Sequence, residues 1–344
     1  MFFLFTMFFY RLSIRAFAGL LLCCSILSNC TNEQPAKPPQ SFTRELHLQR
    51  PNDTTRNYTI AYVPTSAPRG MIVLLPGYGE MPLQVEQETD IPRTAAAKGF
   101  LTIIPALGDW SALYVDTASQ QALVRVLREM QAKYSVQDKP LIVGGFSLGG
   151  TGAVLYAERA LQTASLQPAF SALPKPHALF AIDPPLDFER FSQNAVKAVQ
   201  RLHLDRTKDI RNDEYLYITT LLAEAFGGGN IYTNATFRAA SPYIRTDTAL
   251  TMIRALARLP IRFYSEPDYR YWRSRDADYD FQSNELDCAS MIADLHGVGN
   301  TAATLILTEN KGVRRTQGNR RHPHSWSLAD AEELVRWVED SIAK

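Results

Sequence analysis

Short apolar runs that alternate with helix-patterned segments constrain this chain more than any other feature. "GMIVLLP" (Gly70 to Pro76), "FLTIIPA", "PLIVGG", "ALFAID" (Ala178 to Asp183), "PIRFYSEPD" (Pro260 to Asp268) and "ATLILTEN" (Ala303 to Asn310) each read as a strand buried on both faces. Between them lie "DIPRTAAAKG", a short helix, and "DTASQQALVRVLREMQAKY", whose Leu123, Val124, Val126, Leu127 and Met130 favour one side. The C-terminal "SLADAEELVRWVEDSI" is amphipathic, with Ser327 as cap and Asp330 following in a capping-box pattern. Strand–helix alternation requires crossover connections, and so a mostly parallel central sheet with helices on both faces. Two further strands, "FTRELHLQR" and "RNYTIAYVP", flank the turn signal "PNDTT" and predict an antiparallel edge. In such sheets ligands bind at the carboxyl ends of the strands, so chemistry is sought where strands end.

The bulk composition narrows the function. A chain that is 46% hydrophobic and 21% charged is not mainly disordered. A formal net charge of +1 gives no electrostatic reason for a nucleic-acid partner. The sequence has no CxxC or HExxH pattern and no His/Cys cluster with metal spacing, so no structural metal is expected.

The N-terminus is set apart. In "MFFLFTMFFYRLSIRAFAGLLLCCSILSNC", Arg11 and Arg15 precede the apolar stretch Ala16 to Leu27. That order fits a secretory signal peptide over residues 1–29, and the stretch is short against the about 20 residues of a membrane span. Met1 and Met7 are both candidate starts. Leu27-Ser28-Asn29-Cys30 resembles the bacterial lipobox, with Asn29 where a small residue is usual. The resemblance implies a lipid on Cys30, export, and a cell-envelope protein held at a membrane surface. The alternatives are an ordinary signal peptide and an uncleaved anchor. Residues 30–40 then form a lipidated cysteine and a polar, proline-containing tether. Processing would remove Cys23 and Cys24 and leave Cys288 alone, so no internal disulfide is expected.

The strongest chemical signal is "KPLIVGGFSLGGTGAVLY". Gly145-Phe146-Ser147-Leu148-Gly149 fits Gly-x-Ser-x-Gly between a buried strand and a helix. A serine lifted on a sharp strand-to-helix turn has a strained backbone, and side chains at 145 and 149 would collide. The helix N-terminus directs free N–H groups and a positive dipole end at the site. Ser147 is therefore the candidate nucleophile.

From Thr43 to the C-terminus, the order of elements around that motif resembles the α/β-hydrolase superfamily. The resemblance implies an α/β-hydrolase fold and a triad in chain order serine, acid, histidine. The base is expected in "ENKGVRRTQGNRRHPHSW", where His324-Ser325-Trp326 fits the usual ending better than His322 does. The acid is expected a few residues beyond the strand "RFYS". This favours Asp268, with Glu266 as an alternative; a less common variant, after the preceding strand, selects Asp183. The loop Gly77-Tyr78-Gly79-Glu80 stands where the superfamily forms an oxyanion hole, implying the backbone N–H groups of Tyr78 and Leu148 as donors.

The chain from Phe188 to Arg258 is long for a connection. "FSQNAVKAVQRLHL" and "NDEYLYITTLLAEAF", ended by Gly227, Gly228 and Gly229, are expected to form a helical cap at about 188–245. "DTALTMIRALARL" is expected to be the crossover helix. A second insertion, "YRYWRSRDADYDFQSNEL", reads as a solvated loop. The catalytic domain then spans 41–344. The implied activity is hydrolysis of a small-molecule carboxylic ester through an acyl-enzyme that water clears, so no cofactor is expected. A peptidase or acyltransferase on the same triad is the enzymatic alternative, and a non-catalytic surface lipoprotein is the other.

Overall fold

The computed structural model describes residues 41–162, 173–202, 214–226, 235–250, 252–275 and 277–343. Residues 1–29, expected above to be a signal peptide, residues 30–40, expected to be a lipidated Cys30 and its tether, and Gly227 to Gly229 lie outside the described residues.

Eight strands form one sheet: β1 (Phe42–Leu48), β2 (Tyr58–Pro64), β3 (Met71–Leu75), β4 (Leu101–Pro105), β5 (Leu141–Phe146), β6 (Ala178–Ile182), β7 (Ile261–Ser265) and β8 (Ala303–Leu307). Their spatial order is β1-β2-β4-β3-β5-β6-β7-β8. β1 pairs antiparallel with β2, and β2 with β4; the other pairings are parallel. A two-stranded ribbon, β9 (Val313–Arg314) with β10 (Arg320–Arg321), follows β8.

The helices are α1 (Pro82–Glu88), α2 (Ile91–Ala97), α3 (Thr117–Lys133), α4 (Leu148–Leu161), α5 (Phe188–Arg201), α6 (Glu214–Phe226), α7 (Ala235–Ala240), α8 (Tyr269–Arg273), α9 (Tyr279–Gln282), α10 (Glu285–Gly297) and α11 (Ala331–Ile342). The period of a strand decides which of them meets which face. Met71, Val73 and Leu75 pack in the cluster built on α3, α4 and α10. Ile72 and Leu74 pack in the opposite cluster, with α2 and α11. Both faces are thus covered, which is why the central strands read as unbroken apolar runs.

Three expectations change. The C-terminal helix is capped by Asp330, which accepts from Glu333 N–H at 2.9 Å, and not by Ser327, whose Oγ accepts instead from Val313 N–H at 2.7 Å. The crossover helix over Asp247–Leu259 is replaced by a single 3-10 turn, Ile253–Leu256. Asp247 Oδ1 accepts from Ala249 N–H at 3.0 Å, and Leu250 takes φ +52°. That local side-chain bond competes with a helical turn. The insertion from Tyr269 is not a plain solvated loop. It forms α8, α9 and the start of α10, and it buries Trp272 and Phe281. Phe281 stacks on Phe191 of α5 at 4.5 Å between ring centroids, so the insertion packs against the helices that follow β6. Among the described residues no helix is long and apolar enough to cross a membrane.

Candidate active site

The sheet reverses its order around β3, which lies between β4 and β5. Crevices open at the strand ends of such a switch point. Parallel pairing sets Leu75 beside Gly145, and Phe146 beside Ile182. The residues that follow these pairs therefore emerge together: the Pro76–Glu80 loop, Ser147 and Asp183.

Ser147 directly follows β5 and is the N-cap of α4, with φ 52° and ψ −128°, outside the regions that L-residues favour. The turn is held from several sides. Ser147 N–H donates to Ile182 O at 2.9 Å, and Ser147 O accepts from Thr151 N–H at 3.0 Å. A Cβ on Gly145 would lie 2.6 Å from the Gly149 carbonyl carbon, and a Cβ on Gly149 would overlap the backbone oxygens of Leu75 and Pro76. These two glycines let the start of α4 cross directly over β3 and β5.

Asp183 repeats the pattern one strand away. It has φ +47°, is 5% exposed, and its N–H donates to Tyr264 O at 2.7 Å. The bend turns its carboxylate toward the crevice. There Asp183 Oδ2 lies 2.6 Å from His324 Nδ1, and His324 Nε2 lies 3.0 Å from Ser147 Oγ. Both contacts are met by one tautomer: Nδ1–H donates to Asp183, and Nε2 accepts from the Ser147 hydroxyl. Asn284, at the start of α10, donates from Nδ2 to Asp183 O at 3.2 Å and lies 3.4 Å from Asp183 Oδ2.

Asp268 does not meet the histidine. It caps α8, accepting from Tyr271 N–H at 2.8 Å, and it pairs with Arg321 Nη2 at 2.7 Å. The expectation that Asp268 partners His324 is corrected to Asp183. The physical reason is register. Asp183 directly follows Ile182, which is paired with Phe146, whereas Asp268 lies three residues beyond β7, the next strand out, and is consumed by its helix cap. Glu266 is not the partner either. It also pairs with Arg321, and its Oε2 accepts from Thr308 Oγ1 at 3.0 Å, Lys311 N–H at 2.8 Å and Gly312 N–H at 3.1 Å. Both carboxylates thus anchor the loop that leads to His324.

His322 supports rather than replaces His324. His324 N–H donates to His322 Nδ1 at 3.2 Å. Burial, with Arg314 nearby, pushes the His322 imidazole down to about 3. It is therefore neutral at physiological pH and works as an acceptor. On the other side, the His324 ring packs on Phe146 at 4.5 Å between centroids, and Phe146 packs on Trp326 at 5.5 Å.

Leu148 is the first residue of α4, so its N–H has no partner within the helix. Tyr78 lies in the turn after β3, between two N–H groups that are already bonded. Gly77 N–H donates to Glu80 Oε2 at 3.0 Å, and Gly79 N–H donates to Trp110 O at 3.1 Å. The Tyr78 hydroxyl is hydrogen-bonded to that of Tyr217 on α6, which joins this turn to the helices after β6. Three groups at the site were assigned no role by the sequence: Glu80 and the ring of Phe146, which lie inside the quoted motifs, and Asn284, which lies in none. Among the described residues no group of three or more His, Cys, Asp or Glu side chains is placed to hold a metal ion. Cys288 is free and buried, while Cys30 lies outside the described residues.

This architecture is similar to that of solved proteins. Mycobacterium tuberculosis MPT51 (FbpC1) superposes with a TM-score of 0.52 at 13% identity, covering 88% of this chain and 98% of that one. Carboxyl esterase 2 of the fungus Tuber melanosporum gives 0.51 at 15% identity, covering 90% and 88%. An S-formylglutathione hydrolase from Agrobacterium tumefaciens gives 0.50 at 13% identity, covering 89% and 97%. No protein-family model matches the sequence, and no curated protein matches it. At these identities the likeness speaks to architecture: the chain has the α/β-hydrolase fold.

Proposed function

We propose that this chain is a serine hydrolase that cleaves a carboxylic ester through an acyl-enzyme. One observation carries the reading: the unbroken line from Asp183 Oδ2 through the His324 ring to Ser147 Oγ, with contacts of 2.6 and 3.0 Å. In this reading His324 Nε2 takes the Ser147 proton as Oγ attacks the acyl carbon. Asp183 holds the tautomer and stabilises the imidazolium. The N–H groups of Tyr78 and Leu148 receive the charge that develops on the carbonyl oxygen. His324 then returns the proton to the leaving alcohol. Water, activated by the same imidazole, releases the acid and restores Ser147. The esterases among the similar solved structures favour an ester as substrate, by analogy of fold.

The test is turnover of p-nitrophenyl esters of increasing acyl length. The wild type releases p-nitrophenol, and Ser147→Ala lowers kcat by about 10⁴-fold or more. Equal turnover by the two proteins would remove the reading. Cleavage of anilides at rates comparable to esters would redirect it to a peptidase.

The lipobox resemblance supports a second, separate proposal: export and lipidation at Cys30, with anchoring at a membrane surface. Mass spectrometry of the mature N-terminus tests it. A terminal Cys30 carrying acyl chains is expected, and an unmodified or different terminus refutes it.

A further inference from the structure

We infer that Glu80 is a positioning residue that locks the candidate oxyanion turn to the histidine loop, an inference that rests on the hydrolase reading. One carboxylate oxygen serves both segments. Glu80 Oε2 accepts from Gly77 N–H at 3.0 Å and from Trp326 Nε1–H at 3.0 Å. Gly77 directly precedes Tyr78, and Trp326 lies two residues beyond His324. These segments follow β3 and β8, distant in both sequence and sheet order. No backbone ladder connects them at this point, so the carboxylate supplies a tie that the sheet does not.

The packing around Glu80 leaves little slack. A Cβ on Gly77 would lie 2.9 Å from Phe146 Cδ1 and 3.2 Å from Glu80 Oε2. Phe146 in turn contacts both His324 and Trp326. Trp326 is 1% exposed, so its indole N–H has no route to water and needs a protein acceptor. Burial raises the Glu80 carboxyl above its usual range, while the Trp326 and Gly77 bonds oppose that shift. Removing the acceptor leaves two donors unpaired and frees the turn bearing Tyr78 to move relative to Ser147 and His324. Catalytic groups must be held to within a fraction of an ångström, and their supporting partners supply that precision.

Glu80→Ala and Glu80→Gln separate positioning from mere folding, because glutamine retains an oxygen able to accept both N–H groups. In Glu80→Ala, kcat on p-nitrophenyl acetate falls about 100-fold with KM within about threefold, the scale of losing one oxyanion donor. In Glu80→Gln, kcat stays within about tenfold of wild type. In parallel, the Trp326 indole N–H resonance of ¹⁵N-labelled protein shifts and exchanges faster in Glu80→Ala and is retained in Glu80→Gln. Wild-type kcat in Glu80→Ala overturns the inference, as does an equal loss in both variants. An unmoved indole resonance overturns the tie itself, even in an active enzyme. A wild type inert toward esters, with the indole shift intact, overturns the hydrolase reading and the catalytic role of Glu80 while leaving the tie standing.

Discussion

Asp183 and Asp268 divide the work between them: Asp183 Oδ2 lies 2.6 Å from His324 Nδ1, while Asp268 Oδ2 lies 2.7 Å from Arg321 Nη2. Asp183→Asn replaces an acceptor-only carboxylate with a neutral amide that can also donate to Nδ1, so the histidine tautomer is no longer fixed, and kcat is expected to fall by about 10³- to 10⁴-fold. Asp268→Asn keeps an amide oxygen that can cap α8 and loses only one of the two charged partners of Arg321. It should keep kcat within about tenfold of wild type and lower stability by no more than about 1 kcal/mol. Steady-state kinetics and urea unfolding of both variants check the division.

The positions of these carboxylates also show where sequence reading reached its limit. All eight strands of the sheet were legible: the central apolar runs carry their own signal, and β1 and β2 were marked by the turn between them. Motif and element order singled out Ser147 and His324, whose side chains lie 3.0 Å apart. The carboxylate that meets His324 was named only as the less common alternative. "FAIDPPLD" presents Asp183 as an ordinary turn residue before Pro184, and nothing local says that Ile182 will pair with Phe146. Glu80 and Asn284 were hidden for the same reason: each acts on a group brought close only by tertiary register. α10 escaped notice because its buried face, Cys288, Met291, Ile292 and Leu295, is interleaved with acidic residues.

Two glycines with opposite problems give a stability prediction. Gly149 has no room: a Cβ there would overlap Leu75 O and Pro76 O, so Gly149→Ala should cost about 3 kcal/mol or more, or prevent folding. Gly79 has room but φ +77°, with nothing within 4 Å of a Cβ, so Gly79→Ala should cost only about 1 kcal/mol. Chemical denaturation of the two variants reads the contrast.

A buried ion pair ties α5 to α10. Arg190 of α5 meets Asp287 of α10 through Nε–Oδ1 at 2.5 Å and Nη2–Oδ2 at 2.8 Å, and Asp287 Oδ2 also accepts from Asp187 N–H at 3.1 Å. Asp287 is fully buried. Asp287→Ala strands the guanidinium and is expected to cost about 3–5 kcal/mol. Hydrogen exchange should locate the loss in α5 and the start of α10.

His322 predicts a pH effect with a defined sign. Its folded-state value is lowered to about 3, so between there and the ordinary histidine range the unfolded chain binds the extra proton. Its contribution is full above about pH 6.5 and is lost as pH falls, at up to roughly 1.4 kcal/mol per pH unit. His322→Gln should flatten the decline in the urea midpoint between about pH 6.5 and pH 4.5. A slope unchanged from wild type would show that His322 already titrates normally.

The most direct test is intact-protein mass spectrometry after exposure to a fluorophosphonate, which reports an activated serine whatever the natural ester. The wild type should gain one phosphonyl adduct, mapped to Ser147. Folded Ser147→Ala should gain none, and Asp183→Asn should react far more slowly than Asp268→Asn. A folded wild type that stays unlabelled, or an adduct that persists in Ser147→Ala, would contradict the assignment of Ser147, His324 and Asp183 as the reacting line.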